Sequence, residues 1–311
     1  MSLKQRNHIL TASELIDQTS KKDFPWFAFY ELTKPRLSLL SLITALVGYL
    51  AALPSRDLTS LLNFLSGTAL CAAGAATLNQ WLEREPDSIM ERTRERPIPN
   101  QMITPQAALI FGLTLSVVGS LQLYFGANPL AGFLGAATII SYVVIYTPMK
   151  KTTRWATEFG AIPGAIPPLI GWAAAEGTIT TLAWIIFGIL AIWQIPHFMA
   201  IAWLYRDDYK KAGFPMLSVI DQGGNRVARW AVINAVALVP VSMLPVFLGY
   251  CQWIYGIVAT LFGLWLVRHA LAFTQSENRE VTARSLFLNS ILYLPAVLLS
   301  LVIDRWIHGL H

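Results

Sequence analysis

Nine stretches of this chain, at about residues 37–54, 59–83, 106–127, 129–148, 156–175, 179–204, 228–248, 253–273 and 285–303, are apolar over nearly their whole length. A helix that crosses a bilayer needs roughly 20 predominantly apolar residues, and these runs meet that length. They occupy most of a 311-residue sequence that is 55% hydrophobic and only 13% charged, about half the charged fraction of an ordinary soluble domain. In hydrocarbon every backbone donor and acceptor must be satisfied within the spanning structure, which leaves helices or a closed barrel. Barrel strands are segments of roughly 10 residues with alternating polarity, and the runs here are longer and uniformly apolar. The expected fold is therefore all-α: a polytopic membrane bundle of about nine transmembrane helices, one domain over residues 29–311, preceded by a polar tail over residues 1–28.

The tail carries Lys4, Arg6, Lys21 and Lys22, but also Glu14, Asp17 and Asp23, and no apolar stretch precedes residue 37. A secretory signal needs such a stretch and a transit peptide avoids acids, so the tail is not expected to be a targeting segment. Cys71 and Cys251 lie in or beside apolar runs without ligand spacing; they are expected to pack rather than to pair or to bind metal.

If the N-terminus is placed inside and nine spans alternate, all but two of the 23 lysines and arginines fall on the inner side, the exceptions being Arg56 and Arg305. This is the bias of the positive-inside rule. It accounts for the net charge of +5 without invoking nucleic acid, and it puts the polar chemistry at the cytoplasmic face, with the C-terminus outside.

The second run ends in a patterned acidic segment. Asn79 and Glu83 are four residues apart and share a helix face, and Asp87 continues the spacing beyond Pro86. Proline cannot donate its backbone N–H and clashes with the carbonyl four residues back, so the helix is expected to end or kink there and present Asp87 on the turn beyond. Two carboxylates and an amide oxygen form a hard-oxygen set suited to Mg²⁺, which takes one or two carboxylates and completes its octahedron with water and phosphate. Arg92 and Arg96 follow at the same spacing, and guanidinium forks match phosphate oxygens. Mixed charges at a membrane surface are ordinarily just solvated; a regular series that begins inside an apolar helix needs a further reason.

The series Asn79-xxx-Glu83-xxx-Asp87-xx-Met90-x-Arg92-Thr93-xx-Arg96-Pro97 resembles the first acid-rich motif of the intramembrane aromatic prenyltransferase superfamily, most closely its protoheme IX farnesyltransferase branch. One departure is Glu83, where that motif usually has Asp. Further segments resemble the same branch: Tyr30-Glu-Leu-Thr-Lys34-Pro-Arg36, Tyr146-Thr-Pro-Met-Lys150-Lys151-Thr-Thr153, the Gly/Pro-rich Gly160–Trp172, Trp193-Gln-Ile-Pro-His197-Phe198, Asp207-Asp208-Tyr209 through Leu217, and Ala283-Arg284 through Pro295. They run in order along nearly the whole chain. His197 and Asp208 are eleven residues apart, about three turns and ~16 Å on one face if the helix is unbroken, with Asp207 turned away. The superfamily places a second acid-xxx-acid motif here, but Leu204 stands four before Asp208, so a second metal site has fewer carboxylates.

The resemblance implies a central cavity open to the cytoplasmic face and laterally to lipid. It also implies transfer of a farnesyl group from farnesyl diphosphate to a vinyl group of protoheme IX, giving haem O, in a bacterial inner membrane, with the haem A-forming enzyme next in line. Mg²⁺ is expected on Asn79, Glu83, Asp87 and Asp208. Arg92, Arg96, Lys150 and Lys151 are expected to stabilise the departing diphosphate. Lys34 or Arg36, Tyr146, Asp207 and Asp208 are expected to line the substrate site, and His197 to orient the porphyrin. Two alternatives stand beside this: a related prenyltransferase acting on a phenol or quinone precursor, and a transporter in which the broken fifth run and His197 line a path.

Overall fold

The computed structural model describes residues 25–53, 57–275 and 277–309. Most of the expected tail, with Lys4, Arg6, Lys21 and Lys22, lies outside the described residues, as does Arg56. Every regular element among the described residues is helical. In chain order they are α1 (Pro25–Leu32), α2 (Pro35–Ala51), α3 (Leu58–Leu82), α4 (Arg84–Ile89), α5 (Pro105–Gly126), α6 (Pro129–Met149), α7 (Ala156–Ala165), α8 (Pro167–Glu176), α9 (Thr181–Leu204), α10 (Arg206–Lys211), α11 (Leu217–Ile220), α12 (Asn225–Phe247), α13 (Trp253–Ala272) and α14 (Arg279–His308).

Seven of these, α3, α5, α6, α9, α12, α13 and α14, are long and apolar enough to cross a membrane. The other two expected spans take different forms. α2 has 17 residues. The fifth run is two helices of ten residues each, ~15 Å apiece, divided at Ile166 before Pro167 and Pro168. A single proline is accommodated inside the helix at Pro163, but two in succession remove two N–H donors to the preceding turn, and here the break falls where the pair opens the next helix. The broken region packs closely: a Cβ on Gly171 would overlap the Ala45 carbonyl, and one on Gly48 would overlap that of Pro168. Small residues thus seat α2 against α8. The buried amide of Gln194 on α9 donates to the Ala161 carbonyl of α7 at 3.0 Å.

Helix starts follow local chemistry. Asp57, Thr104 and Asn128 cap α3, α5 and α6 through their side chains, and proline occupies the first turn of α2, α5 and α6, where its missing N–H costs nothing. Large apolar side chains such as Phe125, Phe133 and Phe247 point outward and are exposed, as lipid-facing residues are. Cys71 and Cys251 are buried and unpaired.

The two ends of the bundle are stitched separately. At one end, Arg305 of α14 donates to the carbonyls of Ala51 (2.8 Å) and Tyr250 (3.0 Å), and Trp306 donates to that of Leu50. Asp304 accepts from the backbone N–H groups of Gln252 and Tyr255 at the start of α13. The opposite end gathers the α1–α2 junction, the segment after α3, the end of α6 and the segment after α9.

Candidate functional site

Lys34 sits between α1 and α2 in the left-handed region, φ 47° and ψ 61°, although the following proline disfavours helical conformations before it. A non-glycine residue held there costs on the order of 1–3 kcal/mol. The turn sends its ammonium across to the Asn79 Oδ1 at 2.9 Å. The amide nitrogen of Asn79 donates to the Thr147 hydroxyl at 3.1 Å. That hydroxyl donates in turn to the Tyr142 carbonyl at 2.8 Å, within a π-helical turn over Ser141–Tyr146. Such widened turns recur at functional positions; here the turn brings Thr147 and Lys150 onto the end of α3.

One turn beyond Asn79, Glu83 Oε1 meets Lys150 Nζ at 2.8 Å, and the same ammonium lies 4.7 Å from the Tyr146 ring centroid. Asp87 is fully buried, and its Oδ2 meets Arg96 Nη1 at 2.6 Å. Asn79, Glu83 and Asp87 thus each face one cation. Burial opposes the charge of Glu83, but Lys150, with Lys34 and Arg96, outweighs it and holds the carboxyl below its ordinary range. Burial likewise opposes the charge of Lys150, and the Glu83 carboxylate reverses it, so its ammonium is held well above the usual lysine value. Burial and the nearby Arg96 bring Lys34 down to about 7. Asp87 goes the other way: burial pushes its carboxyl up and Arg96 offsets only part.

α3 ends at Leu82, earlier than expected, because Pro86 cannot donate to the Leu82 carbonyl. Asp87 then lies inside the short helix α4 rather than on an open turn. Arg92 and Arg96 diverge despite their spacing. The chain from 90 to 102 is turns; Arg96 turns back to Asp87, while the Arg92 guanidinium lies 5.1 Å from the Tyr205 ring and 5.9 Å from that of Tyr209. Met90 is buried against Phe214 and Met216, with Tyr146 and Tyr209 beside them. The segments after α3, α6 and α9 therefore meet at one end of the bundle.

α9 stops at Leu204 and α10 begins at Arg206, so His197 and Asp208 are not on one continuous helix and the shared-face argument lapses. Asp208 is half-buried and Asp207 exposed. Arg36 and Lys151 are exposed. His197 lies deeper, between α9 and α14, its Nδ1 2.7 Å from the Ser290 hydroxyl. Thr147, Tyr205 and Ser290 were not singled out from the sequence. Their only signal was position: Thr147 and Ser290 stand inside motif segments, and Tyr205 one helical turn before Tyr209.

Asp87 Oδ1 is buried without a hydrogen-bond partner, and the single cation beside Asp87 leaves its burial incompletely compensated. With the Glu83 carboxylate and the Asn79 amide oxygen, this donor set fits Mg²⁺, which needs few protein ligands when phosphate supplies the rest. Among the described residues no three of His, Cys, Asp and Glu form a self-sufficient metal cluster.

The model of the UbiA prenyltransferase family matches residues 41–291. A protoheme IX farnesyltransferase from Opitutus terrae is 50% identical over 277 residues, covering 89% of this chain and 94% of the relative. Among solved structures, digeranylgeranylglyceryl phosphate synthase superposes with a TM-score of 0.76 at 18% identity, over 90% of this chain and 98% of the other. A UbiA homologue from Archaeoglobus fulgidus bound to GPP and Mg²⁺ gives 0.62 at 13% identity, over 88% and 99%. The convergence of the acidic segment with three cations at one end of a helical membrane bundle accords with these likenesses, and the chain belongs to the UbiA prenyltransferase family.

Proposed function

We propose that this prenyltransferase moves a farnesyl group from farnesyl diphosphate to a vinyl group of protoheme IX, with addition of water, to give haem O and diphosphate. The observation that carries the reading is the buried set Asn79, Glu83 and Asp87 facing Lys34, Lys150 and Arg96. The acceptor is argued from the relative at 50% identity.

Asn79, Glu83 and Asp87 would hold Mg²⁺ against the diphosphate, with half-buried Asp208 of α10 as the proposed further oxygen donor. When bound, the ion supplies Lewis-acid stabilisation of charge on the phosphate oxygens. Lys34 and Lys150 would exchange part of their hold on Asn79 and Glu83 for diphosphate oxygens. As the allylic C–O bond breaks, Arg96 and Lys150 stabilise the charge gathering on the leaving group, since preorganised cations in a water-poor site are worth far more than in bulk; Arg92, exposed beside the Tyr205 and Tyr209 rings, would add to this from the surface. Tyr146 and Tyr209 border this end of the site and help keep water from the allylic cation until the vinyl carbon captures it. Exposed Arg36 and Lys151 are placed to attract anionic substrates to the surface rather than to touch the reacting atoms, whereas the exposed Asp207 carboxylate would repel them and is left outside the diphosphate contacts. His197 is assigned to the porphyrin.

The lysine and arginine distribution supports a cytoplasmic site, a cytoplasmic N-terminus and an outer C-terminus in a bacterial inner membrane. The test is incubation of the purified chain with haem b, farnesyl diphosphate and Mg²⁺, with 4-hydroxybenzoate offered in parallel and products identified by mass. Haem O that disappears on chelation and returns with Mg²⁺ is expected; prenylation of the phenol alone would overturn the acceptor assignment.

A further inference from the structure

His197 is held more completely than a packing residue requires, and one of its two nitrogens is left over. On α9, Trp193 stands one turn before it and stacks on the imidazole at 4.8 Å with 24° between planes. On α14, the Phe287 ring lies 5.1 Å from it, and the Phe198 edge closes a third side at 5.3 Å. The Trp193 indole donates to the Ser290 carbonyl at 2.8 Å, tying the same turn of α14 to α9. Ring position and tilt are therefore fixed.

The tautomer follows from proton counting. Ser290 Oγ lies 2.7 Å from His197 Nδ1 and 2.6 Å from the Phe287 carbonyl oxygen. A hydroxyl has one proton, and two oxygens at 2.6 Å without a proton between them repel. Hence the Ser290 proton goes to Phe287, and Ser290 accepts from His197 Nδ1–H. The lone pair then sits on Nε2. That nitrogen has no hydrogen-bond partner among the described residues and is not sealed. His269 supplies the contrast: it too meets a serine of α14, Ser285, through Nδ1 at 3.1 Å, yet its Nε2 is sealed without a partner.

A neutral imidazole whose far N–H is committed to a neighbour and whose Nε2 lone pair is free is the form in which histidine binds metal. We propose that His197 Nε2 is an axial ligand of the iron in the porphyrin acceptor, and that Ser290 is the positioning residue that fixes the tautomer through the relay from Nδ1–H to Ser290 to the Phe287 carbonyl. The inference rests on the haem reading above and adds what that reading lacks, an anchor that holds the vinyl edge in place. No electron changes hands; iron gains one nitrogen donor and loses a weaker ligand.

The probe is ferric haem b alone, titrated into the purified full chain without farnesyl diphosphate and read by absorption and electron paramagnetic resonance, with metal-free protoporphyrin IX as the parallel ligand. Wild type is expected to show imidazole-ligated iron. His197→Ala should lose that signature and weaken haem b, but not protoporphyrin IX, with free imidazole restoring the spectrum. Ser290→Ala keeps the ligand but frees the ring, and should weaken haem b by about 10–100-fold, the usual cost of losing a ligand's supporting partner. It also serves as the second variant should His197→Ala fail to fold. An unchanged iron spectrum in His197→Ala overturns the proposal, as does equal loss of haem b and protoporphyrin IX, which would mark a packing role. Haem O formation by wild type alongside either result would leave the proposed function standing while removing the ligand; no haem O and no haem binding by wild type would remove the function itself.

Discussion

Both ends of the bundle bury charge, and they satisfy it differently. At the end that the proposed orientation places outside, called the outer end, Asp304 and Arg305 are buried, and both use main-chain partners. Asp304 accepts N–H groups that open α13, and Arg305 donates to the Ala51 carbonyl at the close of α2. Each charge sits at the helix end whose dipole favours it. At the other end, inner in that orientation, Glu83 and Asp87 are just as buried, but their partners are the side-chain heads of Lys150 and Arg96, and Asp87 Oδ1 has none. Burial of charge alone does not mark a functional site. Main-chain partners cannot be exchanged for a ligand, whereas ammonium and guanidinium groups can turn to one, and Asp87 Oδ1 has no partner to give up.

The sharpest way to break this contrast is Asp87→Asn. It keeps the shape and removes the charge, while Arg96, its side chain 22% exposed, keeps access to solvent. Turnover is expected to fall by at least 10²–10³-fold, roughly what one preorganised electrostatic contact contributes, with little change in the melting temperature in detergent. Turnover close to wild type would show the inner cluster to be as structural as the outer one.

Asp304→Asn makes the reciprocal case. One of the two N–H groups would face an amide N–H instead of an oxygen, and a buried unsatisfied donor costs about 1–3 kcal/mol. A lower melting point is expected, with product per folded molecule unchanged. Loss of turnover without loss of stability would mean that the outer knot takes part in the reaction.

The two ends were not equally legible. Apolar runs exposed the spans because period and length are properties of single segments, and the break before Pro167 and Pro168 is written in the residues that cause it. Asn79, Glu83 and Asp87 stood out through their spacing and Arg96 through its motif. Lys34 and Lys150 were named only through the resemblance, and which acid or amide each one faces was not legible, since Lys34 reaches Asn79, and Lys150 reaches Glu83, only once three separate segments have packed. The stop after Leu204 carries no proline or glycine, so an unbroken helix was the natural reading and the geometry between His197 and Asp208 failed with it. Asp304 and Arg305 passed unnoticed except that Arg305 stood on the side where basic residues are scarce. An acid and a base side by side at that end of a span was the available clue to the outer knot.

The smallest expected effect concerns Glu83, the position where the resembling motif carries Asp. Glu83→Asp retains the charge and shortens the reach by one methylene, which stretches the 2.8 Å contact to Lys150 or draws Lys150 inward from the Tyr146 ring. If the inner end works through exchangeable partners, the pair can readjust, because both sides of it are flexible. Turnover should then fall no more than about tenfold, ~1.4 kcal/mol in the barrier, and the melting point should hardly move. Asp304→Glu, the matching change of one methylene at the outer end, meets main-chain N–H groups that cannot follow it, and is expected to cost more stability than Glu83→Asp. Melting curves of the two variants read side by side decide the matter: equal losses would mean that the inner partners are as fixed as the outer ones.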